Sequence, residues 1–259
     1  MLKNYHSHTE RCGHAWGTDD EFIQAAIAAG YTTLGFSEHT PWPFRDGYQE
    51  IDKRERITME AFDDYLQDMK ALKEKYKDRI DIRIGLECEY FPQYFDWLRS
   101  VRHKVDYLLL GVHCSEHDEH LSHYYARSTK PEQVVEYTRC ALAGMETGMF
   151  AYLAHPELSF ADYPEYDDVC RDSAHAICRR AKELGMPLEY NLYGIDKQAR
   201  GRQKGLGYPC KIFWEVAAEY GCTAIIGVDA HRPEHFNRQR FLDAQAYLTG
   251  LGLKLIDEI

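Results

Sequence analysis

The sequence predicts an α/β fold in which parallel strands and crossover helices wind into one closed, TIM-barrel-like (β/α)7 barrel. Short β-rich runs alternate with amphipathic stretches of helical length through seven rounds, and no long Pro/Gly/Ser linker interrupts them. Gly30, Gly148, Gly185 and Gly221 each stand between a helical stretch and the next strand, where a left-handed helix cap belongs. An open doubly wound sheet shares this local signature, but the unbroken repetition favours closure, with the site at the C-terminal ends of the strands.

The first strand is predicted over Leu2–His8, followed by a helix over Asp20–Ala29. Thr32–His39 is the second strand; an irregular piece, Thr40–Ile57, then leads into a helix over Met59–Lys77. Ile82–Tyr90 and the helix Gln93–His103 make the third round. Tyr107–Cys114 is the fourth strand, followed by irregular Ser115–Lys130 and a helix over Pro131–Gly148, whose proline suits a first helical position. Phe150–His155 pairs with the helix Asp167–Leu184. Leu188–Tyr193 is followed by irregular Ile195–Pro209 and the helix Cys210–Tyr220; Ala224–His231 and the helix Arg238–Gly250 close the series. All three irregular pieces follow strands and are expected to shape the site. Residues 1–259 are read as one domain.

Composition narrows the function. Among 259 residues, 31 Lys and Arg stand against 42 Asp and Glu, a formal charge of −11. With 44% hydrophobic and 28% charged residues the chain can bury a substantial core, which argues against disorder. A nucleic-acid backbone would be repelled in the absence of a basic block, so no long nucleic-acid partner is expected. No apolar run reaches a membrane span, and Met1-Leu2-Lys3-Asn4 carries no signal-peptide core, so a cytoplasmic location is expected. Cys12, Cys88, Cys114, Cys140, Cys170, Cys178, Cys210 and Cys222 form no C-x-x-C pair and read as reduced thiols.

Six of the seven predicted strands finish with a potential metal ligand. His6 and His8 lie two apart on one strand, so both imidazoles point to the same side. Asp229 and His231 repeat that spacing on the last strand. His39, His113 and His155 end three others, and His14 lies in the first loop, able to fold back toward His39 and His231. In Gly85-Leu86-Glu87-Cys88-Glu89-Tyr90, register decides which carboxylate faces inward, and a buried one needs a cation or donors. His103, His175 and His235 read as solvated, and His117, His120 and His123 as a surface cluster. Eight to nine ligands exceed the three that one catalytic zinc takes, so two or three divalent ions fit better. Three such ions, less two carboxylates and one hydroxide, would leave about three positive charges, suited to a phosphate monoester dianion.

With these residues placed, the sequence resembles the PHP (polymerase and histidinol phosphatase) family, in its histidinol-phosphatase branch. The matching pieces are Tyr5 to His14 (YHSHTERCGH), Ser37-Glu38-His39-Thr40-Pro41, Gly85-Leu86-Glu87, Gly111-Val112-His113, Ala154-His155-Pro156 and Gly227-Val228-Asp229-Ala230-His231. The resemblance implies a distorted seven-stranded barrel and a trinuclear site of zinc, iron or manganese. It selects Glu87 over Glu89 and implies one ion on His6, His8, Glu87 and Asp229, a second on Glu87, His113 and His155, and a third on His14, His39 and His231. It implies hydrolysis of L-histidinol phosphate, a late step in histidine biosynthesis. A metal-bridging hydroxide would attack phosphorus in line. Glu87, Asp229 and His231 are the catalytic candidates, and Asp229, His231 or a metal-bound water would give the leaving alkoxide its proton.

The family's asparagine-then-arginine region before Tyr-Pro resembles Asn191 to Pro209 here, but this loop is longer and holds Arg200, Arg202 and Lys204. Arg202, with Arg200 and Arg127 behind it, is expected to bind phosphate through its planar fork. The alternatives are another PHP phosphoesterase acting on a nucleotide, phosphodiester or phosphotyrosine, a metal-dependent amidohydrolase, or a noncatalytic metal-binding module. An amidohydrolase would want an eighth strand and a lysine where His113 stands. Oligomeric state is not legible.

Overall fold

Alternation of strand and helix runs through the computed structural model, which describes residues 1–44, 56–115 and 123–259. In chain order the elements are β1 (Leu2–Asn4), α1 (Asp19–Ala29), β2 (Tyr31–His39), α2 (Phe62–Tyr76), β3 (Asp81–Cys88), α3 (Phe95–Val101), β4 (Tyr107–Leu110), α4 (Pro131–Glu146), α5 (Asp168–Leu184), β5 (Leu188–Asn191), α6 (Leu192–Ala199), α7 (Lys211–Glu219), β6 (Thr223–Gly227), α8 (Arg238–Gly250) and β7 (Lys254–Leu255). The helices begin and end where local chemistry dictates. Thr18 and Glu21 form a reciprocal capping box on α1, and Asp167 accepts the Val169 and Cys170 N–H groups that α5 leaves unpaired. Gly30, Gly148, Gly185 and Gly221 all have positive φ, between 60° and 87°.

β1-β2-β3-β4 form a parallel four-stranded sheet that curls into a half-barrel, and β5-β6-β7 form a second parallel sheet of three. The register sets His39 opposite Glu87, bringing two predicted ligands side by side. Strands of the larger sheet bury most of both faces, as parallel strands covered by helices do: every residue of β4 is buried, Thr32 is the one partly exposed residue of β2, and β3 is buried from Ile84 to Cys88. Aromatic side chains fill much of the helix–sheet interior, with Trp214, Tyr65, Tyr125 and Tyr137 among the largest fully buried. Among the described residues no helix is long and apolar enough to cross a membrane. All eight cysteines are free thiols, seven of them buried.

The structure corrects the predicted elements in three places. Phe150–His155 is no strand; it touches its neighbours through isolated bridges, Leu110 to Leu153 and Leu153 to Leu188. Pro187 has no N–H to extend that ladder backward, and the His155 N–H is taken by the Glu189 side chain rather than by a strand carbonyl. The expected irregular piece Ile195–Pro209 begins inside α6, because the Asn191 side chain accepts the Gly194 N–H and starts a helix directly at the end of β5. β7 forms at the C-terminus, where no strand is expected from the sequence. The seven strands observed therefore differ from the seven predicted and pair as four and three rather than as one continuous ladder. A further isolated bridge, Ser7 to Ala230, joins the chain just beyond β1 to the chain just beyond β6.

Candidate metal centre

Strand ends deliver the candidate ligands. Beyond β1, His6 and His8 point the same way; His39 is the last residue of β2; Glu87 lies in β3; His113 follows β4; Asp229 and His231 follow β6. His155 and Asp229 are the two non-glycine residues with positive φ among the described residues, 30° and 51°. Such strained conformations persist where surrounding contacts hold them and gather at functional sites.

Glu87 is the hub of the cluster and is 1% exposed. Its Oε2 lies 3.2 Å from His6 Nε2, 3.5 Å from His8 Nε2 and 3.2 Å from His39 Nδ1. Its Oε1 lies 2.9 Å from His155 Nε2 and 3.2 Å from His113 Nε2. A Cβ on Gly111 would collide with this carboxylate, so glycine is required there. Asp229 Oδ1 completes the deepest group, 3.6 Å from His6 Nε2 and 3.2 Å from His8 Nε2.

Four buried atoms here, His6 Nε2, His8 Nε2, Glu87 Oε2 and Asp229 Oδ1, have no hydrogen-bond partner although they crowd together. Metal–ligand bonds of about 2.0–2.1 Å demand ligand–ligand edges of roughly 3.0–3.4 Å, close to the spacings found. The tautomers agree. His6 Nδ1–H donates to Glu189 Oε1 at 2.7 Å, His231 Nδ1–H to the Asp229 carbonyl at 2.9 Å and His14 Nδ1–H to the Cys12 carbonyl at 3.2 Å. Each imidazole thereby turns its Nε2 lone pair inward. His14 Nε2 and His231 Nε2 face one another at 3.0 Å, and His113 Nε2 and His155 Nε2 at 3.2 Å, contacts that only a shared proton or cation makes favourable. The donor set fits divalent metal ions.

Electrostatics without cations show the same demand. Burial opposes protonation of His6, but Glu189, Glu87 and Asp229 outweigh it and hold its pKa well above the usual imidazole value. Burial is likewise overcome at His8, pushed up to about 9 by Asp229 and Glu38, and at His113, pushed up to about 10 by Glu87 and Glu89. His39 and His231 go the other way, lowered by burial and by the charge of His8. Burial disfavours ionised Glu87, yet His113, His6 and His39 keep its pKa well below the carboxylate range.

Above the cluster lies a cavity of about 370 Å³, lined by His14, Trp16, Glu87, His113, Tyr193, Lys197, Tyr208 and His231 among others. Lys197 Nζ donates to Tyr208 Oη at 2.9 Å and sits 4.4 Å from the Tyr193 ring centre; Tyr193 in turn stacks on His231 at 4.5 Å.

The PHP domain profile matches residues 4–191. The chain belongs to the PHP domain family. A curated protein of Deinococcus radiodurans, named "Probable histidinol-phosphatase", is 28% identical over 265 residues, covering 97% of this chain and 94% of its own length. The histidinol-phosphatase of Bacillus subtilis is 27% identical over 225 residues, covering 76% of this chain and 82% of its own. The crystal structure of histidinol phosphate phosphatase from Lactococcus lactis, complexed with zinc, L-histidinol and phosphate, superposes with a TM-score of 0.71 at 19% identity, over 98% of this chain and 95% of that one. Asp229 and His231 lie beyond the matched PHP span, and the fold brings them to it.

All nine predicted ligands of this PHP domain converge: His6, His8, His14, His39, Glu87, His113, His155, Asp229 and His231. The three predicted phosphate-binding arginines do not join them. Arg127, Arg200 and Arg202 are exposed and absent from the cavity lining, because α6 ends at Ala199 and leaves Arg200 and Arg202 beyond its C-terminus. Among the described residues, the cations of the lining are Arg56, which pairs with Glu89 at 3.2 Å, and Lys197. His235, expected to be solvated, is 4% exposed; it sits on a tight turn after His231 and its Nδ1 accepts the His231 N–H at 3.1 Å. His103 is exposed, His175 is half-buried against Tyr220, and His123 is half-buried beside Ser128. His117 and His120 lie outside the described residues. Sequence reasoning assigns no role to Glu189 or Lys197, and names Glu38 and Asn191 only as parts of family-like segments. Glu189 and Asn191 repeat the two-residue spacing of the ligand pairs at a strand end, and that spacing is a signal able to find them.

Proposed function

We propose that this PHP domain is a metal-dependent phosphomonoesterase that hydrolyses L-histidinol phosphate to L-histidinol and phosphate. The observation that carries the reading is the convergence of four partnerless buried atoms, on His6, His8, Glu87 and Asp229, at edges of 3.2 to 3.6 Å. The names of its relatives and the zinc, histidinol and phosphate of the Lactococcus lactis structure support the substrate.

We assign His6, His8, Glu87 and Asp229 to one ion, Glu87, His113 and His155 to a second, and His14, His39 and His231 to a third, His39 also facing Glu87. Bound divalent ions would supply Lewis-acid charge for the phosphoryl oxygens and a water acidified toward neutral pH. The chain supplies the rest. Lys197 contributes a cation on the cavity wall, and its bond to the Tyr208 oxygen leaves the Tyr208 hydroxyl proton for a phosphoryl oxygen. Asp229 and His231, both on the cavity wall, are the groups of this chain placed to give the leaving alkoxide the proton it needs. Trp16, at the mouth, offers a ring face to the imidazole of the leaving group.

We further read the two sheets, the bridging segment at Leu153 and the Ser7–Ala230 bridge as one distorted seven-stranded PHP barrel domain spanning 1–259. Eight free thiols and biosynthetic relatives support a cytoplasmic enzyme acting on a small phosphate ester rather than on long nucleic acid. The test is phosphate release from L-histidinol phosphate beside a panel of nucleotides, phosphotyrosine, glycerol phosphate and a diester. Selective release from L-histidinol phosphate supports the reading. Release from other esters alone would overturn the substrate, and no release in any metal would overturn the reaction.

A further inference from the structure

Glu189 is fully buried at the base of the cluster without being one of the nine ligands. Its carboxylate is fully engaged. Oε1 accepts from His6 Nδ1 at 2.7 Å and from Tyr152 Oη at 3.3 Å. Oε2 accepts from the His155 backbone N–H at 3.1 Å and from Asn191 Nδ2 at 2.9 Å. The same Asn191 amide nitrogen reaches Asp229 Oδ2 at 3.1 Å. One side chain thus touches His6 directly, grips the backbone of His155 where φ is 30°, and reaches Asp229 through one amide. The fold keeps room for it, since a Cβ on Gly227 would collide with Glu189 Oε1.

We propose that Glu189 is the positioning residue of the centre: its hydrogen bonds fix His6 as the Nδ1–H tautomer and tie His6, His155 and Asp229 into one preformed ligand set. A carboxylate behind an imidazole orients the ring and makes its far nitrogen a better donor. Because both oxygens are used, the same group sets the distance between ligands of two neighbouring ions. This inference rests on the metal-dependent reading above.

The experiment compares metal affinity, by competition with a chromophoric chelator for zinc and manganese, in the parent, Glu189→Gln and Glu157→Gln. Glu157 is a second buried carboxylate close by that contacts no predicted ligand side chain, so it controls for loss of a buried charge. Glu189→Gln is expected to weaken the tightest ion roughly 10- to 100-fold, while Glu157→Gln stays within about 2-fold of the parent. Long-range proton–nitrogen spectra of histidine-labelled protein should show a downfield His6 Nδ1–H in the parent that moves upfield in Glu189→Gln. Should Glu189→Gln fail to fold, Gly227→Ala displaces the carboxylate while keeping its charge and is expected to weaken binding likewise. Parent-like affinity and an unmoved His6 resonance would overturn the role of Glu189. Failure of the parent itself to bind metal would overturn the metal-dependent reading instead.

Discussion

Replacing Glu157 with glutamine should stabilise the protein progressively as pH rises. Glu157 is 2% exposed; its Oε1 accepts from the Cys210 N–H at 3.0 Å and from Trp214 Nε1 at 2.7 Å, while its Oε2 has no partner. Burial pushes its pKa from 4.5 up to about 8, only partly offset by those two donors. A group with a raised folded-state pKa binds protons on folding, so below pH 4.5 it contributes nothing adverse, and between 4.5 and 8 the parent loses stability as the unfolded state ionises first. Each tenfold difference in proton affinity between the folded and unfolded chain is worth about 1.4 kcal/mol, so the variant's gain over the parent should grow by several kcal/mol, at most about 4, between pH 5 and pH 8. Glutamine adds an offset of about 1–3 kcal/mol, because its amide replaces the partnerless oxygen, but that offset does not change with pH. The assay is urea denaturation of both proteins, freed of metal so that nearby cations do not favour the carboxylate, at pH 5, 6, 7 and 8. A stability difference that stays flat over this range, or moves against the variant as pH rises, would refute the reasoning.

Three further outcomes follow from the site. Glu87→Gln removes the carboxylate shared by five imidazoles and should lower phosphate release at least about 100-fold, whereas His175→Ala, on α5 beside Tyr220, should leave the rate within about 2-fold; equal effects in steady-state assays would undo the assignment. Lys197→Met keeps the aliphatic stem but loses the cavity cation and should raise KM roughly 10-fold or more, while Trp16→Ala, at a ring 64% exposed on the cavity rim, should raise KM for L-histidinol phosphate but not for esters without a ring. Because His8 and His113 hold protons up to about pH 9 and 10 in the metal-free protein, metal must displace those protons. Affinity measured by chelator competition should therefore climb between about pH 6.5 and 8.5, and a flat profile would count against these ligands.

The candidate ligands are legible in the sequence because their chemistry is periodic. Histidine and aspartate at two-residue spacing, repeated at strand ends, point to one side whatever the later packing, and the nine residues meet as expected. The helices are legible for a related reason: caps such as Thr18, Asp167 and the positive-φ glycines act over three or four residues. The features that escape sequence reasoning depend on contacts distant along the chain. Glu189 captures the His155 N–H across the fold and cuts a strand that its own sequence favours. Asn191 turns β5 straight into α6, which carries Lys197 into the cavity and leaves Arg200 and Arg202 outside it. His235 reads as polar loop, and its burial follows from the turn that packs it against His231 and Tyr193. Composition has no means of separating a cation on the wall of a cavity from one outside it; that distinction belongs to where a helix starts and ends.

The most direct test is to strip the protein with a chelator and return zinc or manganese stepwise, recording bound metal per chain and phosphate release from L-histidinol phosphate in the same samples. Stripped protein should release no phosphate and recover full release once two or three equivalents are bound, with Glu87→Gln failing to reach it. Full activity without metal, or two to three bound ions with no release of phosphate, would contradict a metal-dependent phosphatase.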